Sequence, residues 1–486
     1  MYLPQIILII ASLAIILLWF RRGYPQSRPE EGRSSLPTTA LAAWVVASAV
    51  FGANFYVLRF PGFFDISIER LLFLLIVFTL VVGLFQGRVQ FQKNITIEVI
   101  MGLFVTVSLY SMLQTGFLPT SPDFPSPWFV FISGYLFPFV VFVYAKHYIV
   151  HNNDTILIFH ALFYFGLYLA IIAFFEYSDL RQYVFPSYIN DPELSLLHLE
   201  RARGPFLNAA FNGVGILIGL ISGLHLLQTK KGFGKFFYQA ALLLFFPGVF
   251  FTLTRSVYLG LLITLLIFLG WYKTSFSKWK LISLPLALVL ILAVANAPRL
   301  LSEDRREGGV YQVAEVNIRL ALLEKSYTLF AENPLTGVGL AQFIPASLRS
   351  YTGRTPFVAE EAGSQFQHNH LLGIATELGA PGLLLYLLMI VLILRRLNQL
   401  AGKLPPDGIM GNNLRIVILA IWCVYLNNNL FVEPSNNIFV NAVPFLFAGL
   451  ADGLYTRSMK VDGLHAPSLR AGLATPSSMR VIRGHV

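Results

Sequence analysis

The sequence predicts an all-α, polytopic integral membrane protein, with about 12–13 transmembrane helices and one long extracytoplasmic loop carrying short helices. Three observations predict it. Charged residues make up 12% of the 486-residue chain, about half the roughly 25% typical of soluble domains. Hydrophobic residues make up 56%, and mean hydropathy is +0.66. The apolar residues also gather into runs of bilayer-spanning length, parted by gaps that carry Lys and Arg.

Thirteen such runs follow one another: 3–20, 40–58, 71–86, 95–118, 128–146, 155–176, 208–228, 237–253, 256–272, 280–297, 371–394, 414–431 and 436–454. The first, Met1–Phe20, has no basic residue before its apolar run, and Arg21-Arg22 stands where a signal peptide has small residues. It reads as an uncleaved helix. The eighth and ninth runs form a tight hairpin at Thr254-Arg255. Beyond Tyr455 the chain is rich in Ser, Gly, Arg and Pro, the composition of a disordered tail.

The gaps sort alternately onto two sides. One side holds Arg21, Arg22, Arg28, Arg33, Arg88, Lys93, Lys146, the lysines of 230–235 and 273–280, Arg395, Arg396, Lys403, Arg415 and the tail, which is 22 of the 35 basic residues. By the positive-inside rule this side is cytoplasmic, which puts the N-terminus outside and the C-terminus inside. The net charge of +10 is therefore an orientation signal, and a nucleic-acid partner is not expected. A single cysteine, Cys423, allows neither an intrachain disulfide nor a cysteine metal cluster.

Two external segments hold the candidate chemistry. Residues 177–207 form a polar connector, and residues 298–370 form a loop long enough to fold for itself. Within that loop Val316, Leu320, Leu323, Tyr327 and Phe330 recur at helical spacing, and Asn333-Pro334 stops the helix. Charge near a membrane face is costly and so marks candidate function. Arg255, at the external hairpin, can grip a phosphate bidentately or can simply snorkel to water. Arg319 lies along the apolar stripe, so it needs an anion: either Glu324 or Glu332, or a ligand. His368 precedes the eleventh run, where a helix N-terminus favours the neutral imidazole that a general base requires; the alternative is a cap, which Asn369 or Ser364 can also supply. His370 lies two residues on, the wrong spacing to share a metal on a helix, and no metal or cofactor is expected. Gly337-Val-Gly339 reads as a turn that brings backbone close to something. Arg201, Arg203, Asn208 and Asn212 gather at the start of the seventh run as helix caps or ligand contacts.

In order along the chain stand Thr254-Arg-Ser, Asn317-Ile-Arg319, Asn333-Pro-Leu-Thr-Gly-Val-Gly-Leu340, His368-Asn-His-Leu-Leu, and Glu377-Leu-Gly379 with Gly382. Together they resemble the O-antigen ligase and polymerase superfamily, the Wzy/WaaL-like membrane glycosyltransferases, over roughly 200–385. The resemblance implies transfer of a glycan from undecaprenyl pyrophosphate to an acceptor at the periplasmic face of the bacterial inner membrane, without metal or nucleotide sugar. The acceptor is the lipid A–core in ligases and another repeat unit in polymerases. It implies that Arg255 and Arg319 hold the pyrophosphate and that His368 activates the acceptor hydroxyl, with Arg201, Arg203, Asn208, Asn212, Gly337, Gly339, Asn369 and His370 as binding candidates. Two departures are Thr254 where the family commonly has Ser, and the second histidine at 370. Three regions are expected: N-terminal helices over 1–200, a catalytic core over 201–455, and a cytoplasmic tail over 456–486. A secondary transporter is the rival class, although no internal repeat is visible.

Overall fold

The computed structural model describes residues 35–464 apart from 59–65, 88, 90–93, 122–123, 195–200, 274–286, 288–290, 292–293, 301–312, 350–364 and 366. The run 3–20, most of 280–297 and the tail beyond 464 lie outside the described residues. The remaining runs each coincide with a helix: α1 (Leu36–Val50), α2 (Ile68–Phe85), α3 (Thr96–Thr115), α4 (Pro127–Tyr148), α5 (Asn152–Tyr177), α6 (Ala209–Leu227), α7 (Gly232–Phe251) and α8 (Arg255–Trp271), then α11 (His370–Gln399), α12 (Asn412–Asn429) and α13 (Ile438–Leu464). Between α8 and α11 lie α9 (Val313–Glu332) and α10 (Phe343–Arg349). Among the described residues the only strands are β1 (Val57–Leu58) and β2 (Ile66–Ser67), an antiparallel pair with Val57 opposite Ser67. Among the described residues eight helices are long and apolar enough to cross a membrane. The protein is an all-α, multi-pass membrane protein.

Helix dominates because a backbone in hydrocarbon must satisfy its own N–H and C=O groups. Close packing then needs small residues rather than water-driven burial. Every residue of α6 is buried, and it meets α5 where Gly166 faces Gly219; a Cβ on either would fall 2.6 Å from the other's Cα. In α4 the helix widens to a π turn over Ile132–Leu136, just before Pro138. That turn brings the Ser133 hydroxyl to the Ser435 carbonyl at 2.9 Å and turns Tyr135 into the core.

At the end of the bundle rich in basic residues, α3, α4, α11 and α13 are joined by buried charge. Lys146 Nζ lies 2.7 Å from Asp452 Oδ2 and also pairs with Glu98. Arg396 Nε lies 2.6 Å from Asp452 Oδ1, and its guanidinium covers the Tyr455 ring. Asp452 thus neutralises two cations that have almost no access to solvent. Asp452→Asn would take from Arg396 its carboxylate and leave Lys146 with Glu98 alone, and its expected cost is roughly 3–5 kcal/mol. The check is thermal unfolding in detergent; a midpoint equal to wild type would refute this role.

Candidate active site

The site is assembled around a break in α11. Pro381 has no N–H and its ring crowds the carbonyl four residues back, that of Glu377. The backbone departs from helix at Gly379, with φ 68° and ψ −170°. Three groups lose their helical partners: the carbonyls of Thr376 and Glu377, and the N–H of Ala380. All three are satisfied by the turn after α9. Val338 N donates to Thr376 O at 2.9 Å, Gly339 N to Glu377 O at 3.0 Å, and Ala380 N to Pro334 O at 2.8 Å. The turn needs glycine: Gly337 and Gly339 have φ of 66° and 109°, and a Cβ on Gly337 would sit 2.3 Å from the Glu377 carbonyl carbon. Gly337 and Gly339 therefore bring backbone close to the broken helix. The Glu377 carboxylate accepts from Ala341 N at 2.9 Å and Phe343 N at 3.3 Å, fixing the start of α10, while Leu340 N donates to Ser111 of α3 at 2.9 Å.

This docking sets the orientation of α9. Its buried face is Ala321, Leu322, Lys325, Ser326 and Leu329, packed with Phe343 and Ile344 of α10; Lys325 Nζ donates to Ser347 O at 2.7 Å. The expected stripe points the other way: Val316, Leu320, Leu323 and Tyr327 are exposed. The small residues Ala321 and Ser326 allow the close approach to α11, and the bulky stripe is left outward on a helix beside the membrane. Arg319, three residues before Leu322, lies half-buried at the edge of the packed face.

Three arginines converge at this face. Arg255 is exposed at the first turn of α8, where the helix dipole is positive. Arg201 is only 3% exposed and is fixed by its neighbour: Ala202 N donates to Phe251 O at the end of α7, and Ala202 O accepts from Asn212 Nδ2 at 2.9 Å. Burial pulls the Arg201 guanidinium down to about 10; nearby Tyr258 opposes this, and the charges of Arg255 and Arg319 depress it further. Arg319 is likewise lowered by burial and by Arg255. Among the described residues no Asp or Glu pairs with any of the three, and neither Glu324 nor Glu332 is an ion-pair partner of Arg319. The buried Arg201 Nε has no hydrogen-bond partner. Three cations with no counter-ion among the described residues have the charge and donor geometry to hold a multiply charged anion.

The other polar groups of the connector are engaged in holding it. Arg203 is fully buried and donates to the carbonyls of Ile189 and Asp191; its charged neighbours are Glu176, Arg181 and Asp191, not the arginine cluster. Glu176 accepts from Arg203 N at 3.2 Å and Gly204 N at 3.0 Å. Asn208 caps α6 through Ala210 N and Phe211 N.

At the start of α11 the two histidines differ. Asn369 is the N-cap, its Oδ1 accepting from Leu372 N at 2.9 Å, so His368 stands just outside the helix, half-buried, with Nε2 3.4 Å from Gln365 Oε1. His370 is buried; its Nδ1 lies 2.7 Å from Glu433 Oε1, and its ring packs against Tyr135 and Tyr386. Sequence reasoning missed Glu433, Gln367 and Tyr135. The one available signal was a lone carboxylate, Glu433, in the short gap between α12 and α13.

Fold and site together define a multi-pass membrane protein with a cluster of three arginines at one end of its bundle. Residues 240–387 match the family model of O-antigen ligase, Wzy_C, and this match supports the O-antigen ligase/polymerase superfamily and a glycosyltransferase-like enzyme. The span runs from α7 through the break in α11, taking in Arg255, Arg319, the glycine turn and His368. No curated protein matches the chain.

Two outcomes follow for this face. Inorganic pyrophosphate should raise the thermal unfolding midpoint of the wild type, because it relieves repulsion among the arginines, and Arg201→Gln should lose that shift without losing basal stability. A shift of equal size in both proteins would contradict the cluster. Gly337→Ala should cost about 1–3 kcal/mol in the same assay, whereas Gly102→Ala, with nothing within 4 Å of its Cβ, should be neutral.

Proposed function

We propose that the chain is a membrane glycosyltransferase that moves a glycan from an undecaprenyl-pyrophosphate carrier to an acceptor sugar hydroxyl, in the manner of an O-antigen ligase. The observation that carries this reading is the set of three arginines, Arg201, Arg255 and Arg319, near one another with no carboxylate among the described residues to neutralise them. A carrier pyrophosphate supplies the missing charge and is a competent leaving group once that charge is held.

In this mechanism His368 accepts the proton of the acceptor hydroxyl. The hydroxyl oxygen forms the new bond to the anomeric carbon as the bond from that carbon to the phosphate oxygen breaks, with inversion. The electron pair leaves on undecaprenyl pyrophosphate, and the arginines stabilise it. Gly337 and Gly339 hold the loop, Asn369 sets the start of α11, and His370 belongs to the wall beneath. A repeat-unit polymerase would use the same clamp and base with a different acceptor. The residues 201–455 form the catalytic core in this reading, after the N-terminal helices. The Lys146–Asp452–Arg396 end, with most of the basic residues, would face the cytoplasm of a bacterial inner membrane, and the arginine face the periplasm.

The test is complementation of a deletion strain, read on a glycan gel. Free long chains with bare core in the deletion mark a ligase; unpolymerised single repeats mark a polymerase. His368→Ala should lower transfer by at least about 100-fold at normal membrane levels, and Arg255→Ala and Arg319→Ala should do the same. Full complementation by His368→Ala would remove it as the base.

A further inference from the structure

The end of α12 and the residues that follow it touch both the arginine cluster and the candidate base. Asn427 is buried in the last turns of α12, and its Nδ2 donates to Ser256 O at 2.7 Å. Ser256 follows Arg255 in the first turn of α8. A few residues on, Glu433 Oε1 meets His370 Nδ1 at 2.7 Å, two positions after His368. Between them Leu430 O accepts from Asn369 Nδ2 at 3.5 Å. One short stretch of chain therefore bonds to the neighbour of Arg255 at one end and to the neighbours of His368 at the other.

That stretch is itself held. After α12 the chain turns back so that Phe431 N and Val432 N both donate to Asn428 O, at 3.0 and 2.9 Å. Pro434 O accepts from Asn441 Nδ2 of α13 at 2.7 Å, and Ser435 O accepts from the Ser133 hydroxyl of the π turn in α4. Ser435 N donates to Glu433 Oε1 at 3.1 Å, so the carboxylate is oriented from its own segment as well as from His370. On the α8 side the approach depends on Gly260, where a Cβ would sit 3.4 Å from Asn427 Nδ2 and 2.9 Å from Leu217 Cδ1. Buried polar bonds of this kind persist because no water is at hand to replace a lost partner.

We propose that Asn427 and Glu433 are positioning residues, the two ends of a strut that fixes Arg255 relative to His368. Neither acts on substrate directly. Asn427 works through the first turn of α8, and Glu433 through His370 and the start of α11. A displacement that needs a cation on the leaving group and a base on the attacking hydroxyl depends on the separation of the two, and an error of about 1 Å can cost about 100-fold in rate. The effect on rate rests on the glycosyl-transfer reading; the contacts that form the strut do not.

The experiment is a pair of double-mutant cycles on the full chain. The readout is the initial rate of radiolabelled glycan transfer in membranes of a deletion strain carrying each variant at matched level. Glu433→Ala should lower the rate about tenfold or more, whereas Glu433→Gln, whose amide oxygen still accepts a hydrogen bond, should lower it no more than about threefold. Asn427→Ala should also cost about tenfold, and it should shrink the rise in unfolding midpoint that inorganic pyrophosphate produces. In a His368→Ala background Glu433→Ala should cost less than about twofold more, and so should Asn427→Ala in an Arg255→Ala background, because each acts through the residue already removed. Where an alanine variant fails to assemble, Glu433→Met or Asn427→Leu is read in its place, since each keeps the bulk and loses the hydrogen bond. Losses that multiply in the double variants, or equal losses in Glu433→Gln and Glu433→Ala, would overturn the strut. Full transfer by His368→Ala or Arg255→Ala alone would instead sink the glycosyl-transfer reading, and the strut's effect on rate with it.

Discussion

A helix broken in an apolar environment leaves backbone groups that water cannot satisfy, and in α11 there are three of them around Gly379. The turn from Pro334 to Gly339 satisfies all three, so the loop between α8 and α11 is docked by backbone hydrogen bonds rather than by side-chain preference. The position of α9, and with it Arg319, follows from that docking. So does Glu377, which uses its carboxylate to hold the next segment of the loop. A broken helix would on its own suit a transporter, whose unwound segments bind ions. Here the freed groups are already occupied by the chain itself, and the arginine cluster lies elsewhere.

The two ends of the bundle treat buried charge in opposite ways. At one end Lys146 and Arg396 share Asp452, and the network joins four helices. At the other, Arg201, Arg255 and Arg319 share a field and no carboxylate among the described residues. Burial that depresses a guanidinium is a standing cost, tolerated when a ligand removes it. The first arrangement stabilises a helical frame; the second carries a charge that a bound anion would relieve.

Much of this was readable from the residues. Hydropathy located the described helices of the bundle because a bilayer demands a contiguous apolar run, while α9 was legible only from the helical spacing of its apolar residues. Arg255 and His368 stood out because each is a polar group beside such a run, and Arg319 because it lies along the apolar stripe of the loop helix. The apolar stripe of α9 misled, since periodicity reports two possible faces and only the broken α11 selects the one with Ala321 and Ser326. Arg203 and Asn212 were legible as polar but not as the struts that fix the connector, because their partners are backbone carbonyls. Tyr135 was not legible, and Glu433 only as a lone carboxylate in a short gap. Their role depends on a π turn and on a short gap meeting the start of α11, contacts that no local pattern encodes.

The central claim is that the three arginines form one anion site. Its most direct test is an electron cryo-microscopy structure of the chain in nanodiscs with undecaprenyl pyrophosphate. The account predicts pyrophosphate density between the guanidinium groups of Arg201, Arg255 and Arg319, with the prenyl chain leaving toward the lipid. Density for the pyrophosphate away from these groups, with the arginines unmoved and unoccupied, would contradict it.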